Sequence, residues 1–200
     1  ACIGINIGGQ SNINIQNCVA ANYDIGIYID AHSNHNLNGN TASGNTRFGI
    51  AVYNGANHNV NNNVMSNNGL DGLRFDGCTN NNGNGNTANN NGRHGIVINQ
   101  STNNGFSSNN ANSNAGIGVY VSGSNNNAVS NNNASLNGKA DIYIESSSLD
   151  SINGNRACHA ASPPPGYWGD INCTGSSLIS GSNTCTTISC TGASCGAGCP

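Results

Sequence analysis

Charge is what this chain has least of: 200 residues carry five Lys or Arg and eight Asp or Glu, and the formal net charge is -3. So few cations leave no basic stripe to gather phosphates, which argues against a nucleic-acid partner. Aromatic residues make up only 5% of the chain, so large aromatic cores are excluded. No apolar run approaches the roughly 20 residues of a membrane-crossing helix, and no signal peptide is present, so Ala1 reads as the start of a processed chain. None of the nine cysteines forms a C-x-x-C pair, so zinc, thioredoxin-like and c-type haem motifs are missing and no cofactor is expected.

What the chain does have is a repeat. Apolar pairs recur at Ile5/Ile7, Ile27/Ile29, Ile50/Val52, Leu73/Phe75, Ile96/Ile98, Val119/Val121 and Ile142/Ile144, first after 22 residues and then every 23. A second column follows ten residues on, at Ile15, Leu37, Val60, Gly83, Phe106, Val129 and Ile152, and a third at Ala20, Ala42, Met65, Ala88, Ala111, Ala134 and Ala157. A constant period of this size is the signature of a solenoid. Each repeat holds three short stretches, too short for a helix, with the period-two alternation of half-buried strands. The expected fold is therefore all-β: a three-faced parallel β-helix of about seven rungs.

Asparagine marks the corners. Asn40, Asn63, Asn86, Asn109, Asn132 and Asn155 keep the period, as do Asn22, Asn45, Asn68, Asn91, Asn114 and Asn137. Asn tolerates the left-handed backbone of a sharp turn, and amides stacked rung on rung can bond along the axis as a ladder. Low-complexity disorder would not hold two such columns in phase with the apolar ones.

The motif N-x-[ILV]-x-x-N-x-A-x-x-N with a G-I-x-[VI] strand, seen at Asn104 to Asn114 after Gly95-Ile96-Val97-Ile98, resembles the right-handed parallel β-helix repeat superfamily. That superfamily includes pectate-lyase-like enzymes, alginate epimerases and NosD-like periplasmic proteins. The resemblance spans roughly residues 3 to 157 and implies the handedness of the coil. It says little about function, because the same repeats carry enzymes, binding modules and structural proteins.

The chain divides into a β-helix over 1–157 and a Cys-rich, loop-rich tail over 158–200. Cys158, Cys173, Cys185, Cys190, Cys195 and Cys199 fall in the tail, and Cys2, Cys18 and Cys78 in the body. This density reads as a disulfide framework, which places the protein outside the cytoplasm, extracellular or at the cell surface.

The leading functional expectation is structural. Cys2, Ile3, Ile5 and Ile7 start in register with no capping element, so the first rung is expected to meet the last rung or tail of an identical subunit around Ile142, Ile144 and Ile152, giving a head-to-tail filament. The alternatives are a secreted carbohydrate-binding or polysaccharide-modifying β-helix and a metal-binding periplasmic module. For metal, His35 and His58 share one column, although the column continues as Asn81, Asn104 and Asn127, so both imidazoles also read as ladder members. Asp71, Arg74 and Asp76, near Asp30 and Tyr53, form the densest charged cluster and read as solvated residues rather than a catalytic site. Tyr28, Tyr120 and Tyr143 point outward, where they suit β-structure and could stack on sugar rings.

Overall fold

The computed structural model describes residues 2–159, 163–175 and 181–190, together with the backbone of 193–196. Regular structure among these residues is entirely β. One long parallel sheet, sheet 1, stacks β1 (Ile3–Ile7), β3 (Ile25–Asp30), β5 (Phe48–Tyr53), β7 (Leu73–Asp76), β9 (Ile96–Asn99), β11 (Ile117–Ser122), β13 (Ala140–Glu145) and β16 (Gly169–Thr174) in that order. Sheet 2 stacks the three-residue strands β2 (Asn14–Gln16), β4 (Asn36–Asn38), β6 (Asn59–Asn61), β8 (Asn82–Asn84), β10 (Gly105–Ser107), β12 (Ala128–Ser130) and β14 (Ser151–Asn153). A third face is stitched by single parallel bridges running Val19, Thr41, Val64, Thr87, Asn110, Asn133 and Arg156. Register follows the repeat: Ile27 pairs Ile50, Ile50 pairs Leu73, and Leu73 pairs Ile96.

All three apolar columns point inward and merge into one core, in which Ile27, Ile50, Leu73 and Ile96 have no exposed surface. Burying each such side chain contributes about 1.5–3 kcal/mol. Gly83 leaves room in the second column that the next rung fills. A Cβ there would lie 2.6 Å from the Phe106 ring, which packs edge-on against Phe75 at 5.2 Å.

Asparagine does two separate jobs on adjacent residues. Asn62, Asn67, Asn90 and Asn131 adopt positive φ and turn the corners; the next residues, Asn63, Asn68, Asn91 and Asn132, are buried and form ladders. In the ladder Asn40–Asn63–Asn86–Asn109–Asn132–Asn155, each backbone N–H donates to the Oδ1 of the following rung, at 2.8–2.9 Å. The freed Nδ2 groups donate back to core carbonyls such as Leu37 O and Gly83 O. A second ladder runs Asn45, Asn68, Asn91, Asn114 and Asn137. Asn22 does not belong to it: the shorter first repeat puts Tyr23 there, whose N–H donates to Asn45 Oδ1, while Asn22 takes positive φ at a corner.

The residues after 157 abandon the 23-residue spacing without leaving the solenoid. β16 pairs with β13, setting Ile171 beside Ile142 and Cys173 beside Ile144. β17 (Gly181–Cys185) carries Asn183, which extends the first ladder by accepting from Asn155 at 3.0 Å. β15 (Arg156–Ala157), β17 and β18 (Ala193–Gly196) form a small third sheet. Cys173 and Cys190 are joined, and Cys158 and Cys185 are also disulfide-bonded. The Cys195 side chain and Cys199 lie outside the described residues. Cys2, Cys18 and Cys78 are free thiols.

The chain's own tail covers half of the expected assembly surface. Ile142, Ile144 and Ile152 are wholly buried. Their edge is covered by the chain's own tail, with Asn183 Nδ2 donating to Ile152 O. Cys2 remains exposed, Ile3 and Ile5 are half-buried and Ile7 is buried.

Candidate functional site

His35 and His58 belong to a third ladder, running through Asn81, Asn104 and Asn127 to Asp150. Their rings stack at 4.9 Å. His35 Nδ1 accepts from Ile13 N and His58 Nδ1 from His35 N, both at 3.1 Å, so each ring proton sits on Nε2. Burial pushes His58 down to about 4 and lowers His35 as well, which keeps both neutral. A metal bound at either Nδ1 would displace a ladder bond, whereas both Nε2 atoms are buried without a hydrogen-bond partner. Among the described residues no three His, Cys, Asp or Glu side chains converge as a metal site.

The outward positions of sheet 1 hold the polar and aromatic chemistry in two clusters. In the first, Asp71 is fully buried and accepts from Arg93 through Nε at 2.8 Å and Nη2 at 2.5 Å. Arg74 bridges Asp71 at 3.5 Å and Asp76 at 2.6 Å. Asp71 is therefore an ion-network centre and not the solvated turn residue its sequence position suggested. Both arginines are saturated by carboxylates, so this cluster braces the face and offers a ligand little charge.

The second cluster surrounds a cleft of about 220 Å³ lined by His94, Tyr120, Lys139, Tyr143, Glu145 and Trp168, with Ile117 at its floor. Successive strands β11 and β13 place Tyr120 against Tyr143 because the two residues pair in register. The rings stack at 5.8 Å with planes 8° apart. Trp168, brought in by the tail through Trp168 N to Lys139 O at 2.7 Å, continues the row at 5.1 Å from Tyr143. Glu145 accepts from the hydroxyls of Tyr120, Ser122 and Tyr143. Burial foremost, with Glu145 adding to it, raises the Tyr120 phenol. Lys139 lies 5.3 Å from the Trp168 ring and enters no ion pair among the described residues. His94 Nδ1 accepts from Ile117 N at 3.0 Å, and burial brings its pKa down to about 4. The imidazole is thus neutral with its proton on Nε2, a donor and not a base.

Of the expected outward tyrosines, Tyr120 and Tyr143 meet in this cleft, while Tyr28, four rungs from Tyr120, packs against Tyr53 on the next rung. Sequence reasoning missed His94, Lys139 and Trp168. The signal for Lys139 was a doubled period: backbone bonds run Asp24, Arg47, Leu70, Arg93, Gly116, Lys139, Trp168 up one edge of sheet 1, so three of the five cations stand in one column on alternate rungs. Trp168 left no such trace, because the tail has lost the period.

The family model described as a right handed beta helix region matches residues 2–134. No curated protein matches the sequence. Among solved structures, the A-module of the Azotobacter vinelandii mannuronan C-5 epimerase AlgE6 superposes with a TM-score of 0.75 at 17% identity, over 93% of this chain and 57% of that one. The periplasmic alginate epimerase AlgG gives 0.76 at 18%, over 90% and 47%, and the Dettilon tailspike protein gp208 gives 0.67 at 19%, over 80% and 36%. At these identities the likeness establishes the fold alone, and the chain spans between about a third and three fifths of each of these structures.

Proposed function

The chain belongs to the right-handed β-helix family, and from that premise we propose that it is an extracytoplasmic polysaccharide-binding β-helix whose ligand lies over Tyr120, Tyr143 and Trp168. One observation carries the reading: three aromatic rings stand in a row about one rung apart, beside Lys139 and a Glu145 already gathering hydroxyl donors. Aromatic faces bury the C–H faces of sugar rings, and the polar groups at their rim bond hydroxyls or a sugar carboxylate. The mannuronan and alginate epimerase neighbours support polysaccharide as the ligand class. The disulfide supports the compartment.

Binding is favoured over chemical modification because the groups that could abstract a proton are already engaged: Glu145 accepts from three hydroxyls, and Lys139 serves the site as its cation. His94 has its lone pair engaged by Ile117 N–H, and the Tyr120 phenol is raised. Affinity electrophoresis and calorimetry against alginate and neutral polysaccharides test the reading. Tyr143→Ala is expected to weaken binding at least tenfold with the fold intact. Unchanged affinity in that variant, or an altered sugar composition of the polymer after incubation, overturns it.

The head-to-tail polymer is a second reading, favoured by an apolar depression of about 310 Å³ at the first rung, lined by Ile5, Ile7, Ile13 and Ile15. Two features weigh against it. The ladder positions of that rung are Ile13, Cys18 and Tyr23, which donate upward and offer no side-chain amide downward. The opposite edge at Ile142 and Ile144 is already paired. Light scattering at rising concentration separates the two readings, a constant monomer mass disposing of the polymer.

A further inference from the structure

A larger cavity, about 530 Å³, opens on the other side of Trp168. Its walls are His159, Pro163, Tyr167, Trp168, Thr186 and Thr187, with Asp170 at its base. Trp168 is common to this cavity and to the cleft over Tyr120 and Tyr143, so one indole parts two neighbouring depressions. The Asp170 carboxylate is not available to a ligand. Its Oδ1 accepts from Tyr167 OH at 3.0 Å and His159 N at 3.3 Å, and its Oδ2 from Thr186 N at 2.7 Å, Thr187 N at 3.1 Å and the Thr186 hydroxyl. It therefore fixes the floor, while Tyr167 ties that floor to the body through Asp141 Oδ2 at 3.0 Å.

Among the described residues, what remains for a ligand is the His159 imidazole, an aromatic and aliphatic wall and a threonine rim, with no Lys or Arg. Such a lining suits an uncharged ring that carries hydroxyls, and its volume falls in the roughly 300–1,000 Å³ range of ligand pockets. A phosphate or a nucleotide tail would find no cation here.

Resting on the reading of the cleft as a polysaccharide site, we propose that this tail cavity is a second sugar subsite, so that one polysaccharide chain runs along the helix axis over Tyr120 and Tyr143, passes Trp168 and continues against Pro163 and Thr187. The subsite is built by residues beyond the 2–134 segment that matches the family, and the Cys173–Cys190 bond staples the strand that follows Trp168. The tail thereby acquires a binding role in addition to closing the end of the sheets.

Calorimetry with neutral oligosaccharides of two, four, six and eight sugars, cut from the neutral polysaccharide that the full chain binds best, tests this on the full chain. The shortest oligomers are expected to bind in the cleft, with affinity rising at least tenfold once the oligomer is long enough to pass Trp168. Pro163→Trp and Thr187→Trp, both at exposed positions, fill the cavity. Each is expected to remove the gain with length while leaving the dissociation constant of the shortest binding oligomer unchanged. Affinity independent of length in the parent protein, or a full length gain in both filled variants, overturns the second subsite and leaves the cleft standing. Absence of binding at every length overturns the cleft reading and the subsite with it.

Discussion

Sheets 1 and 2 are carried by the same rungs and the same parallel pairing, yet only the outer face of sheet 1 carries charged and aromatic side chains. On sheet 1 the outward positions include Tyr28, Asp30, Tyr53, Arg74, Asp76, Tyr120, Tyr143 and Glu145. On sheet 2 they are Asn, Gln, Ser, Gly and Ala only, from Asn14 and Gln16 at one end to Ser151 and Asn153 at the other. Many of the sheet 2 side chains satisfy one another, as Asn36 Nδ2 does with Asn14 Oδ1 at 3.2 Å and Ser107 Oγ with Asn84 Oδ1 at 2.8 Å. The inward columns make the coil, and the outward ones are left free to differ, so the proposed binding site falls on the face where they do.

The inward side of that division breaks most completely. Ile96 has no exposed surface and pairs Leu73 on one side and Val119 on the other. Ile96→Asp would bury an unpaired carboxylate between rungs, so both faces should be lost together. Limited trypsinolysis should find no resistant core in any soluble fraction; a resistant, soluble variant would mean that the inward face has been misassigned.

Next in size is the bracing of sheet 1. Asp71→Ala strands Arg93 and leaves Arg74 with Asp76 alone. Arg93 keeps 40% of its side chain exposed and can be solvated, so the cost should lie at or below the lower end, about 3 kcal/mol, of the range for breaking a fully buried pair, which a shifted urea midpoint reads directly. A loss well under 1 kcal/mol would place Asp71 in solvent, contrary to its burial.

The inward columns and the Asn40-to-Asn155 column were legible in the sequence because each obeys a fixed interval that stacking itself imposes. Residues whose position stacking does not dictate were harder to read. Asp71 stands at the 23-residue interval in a column with Ile25, Phe48, Ile117 and Ala140, all buried, so the period carried a trace of its burial that its charge obscured. The shared column of His35 and His58 was legible, but which ring nitrogen each commits to the ladder came only from hydrogen-bond direction. Trp168 completes the cleft from a tail with no period at all, and His94 and Lys139 gained meaning only when β16 brought it beside them.

The third ladder allows a pH test of smaller size. Asp150 ends it as a buried acceptor of Asn127, with Oδ2 unpartnered, and burial raises its pKa to about 6. A folded pKa above the unfolded 3.8 means that the folded state holds more protons between pH 4 and 6, so this group favours folding most below pH 4 and loses that contribution as pH rises through 6. His58, brought down to about 4 from 6.5, acts in the opposite sense: its contribution is complete above pH 6.5 and lost as pH falls through 4. Asp150→Asn removes the first effect. Its new amide would be placed to reach Ser124 O as Asn127 Nδ2 reaches Ser101 O at 3.2 Å. The variant should gain up to about 3 kcal/mol at pH 7.5, where the buried carboxylate is ionised, and little at pH 4, where it is protonated. An equal gain at both values would show that ionisation of Asp150 is not its source.

The smallest effect is the one that most sharpens the contrast between the faces. Asn59 lies outward and exposed on β6, where its Oδ1 accepts only from Asn82 Nδ2 at 3.2 Å. If outward positions take no part in making the coil, Asn59→Tyr should be tolerated to within about 0.5 kcal/mol, the range for surface substitutions away from special features, with β-propensity offsetting the lost amide bond. The same variant should add no polysaccharide affinity, because a lone ring on sheet 2 has neither a second aromatic in register nor a cation and carboxylate at its rim. Melting temperature and affinity electrophoresis, run side by side with Tyr143→Ala, put both statements at risk. A large stability loss would make the sheet 2 face part of the structural core, and a gain in binding would show that aromatic surface alone, without the arrangement around Lys139 and Glu145, is enough to hold the polymer.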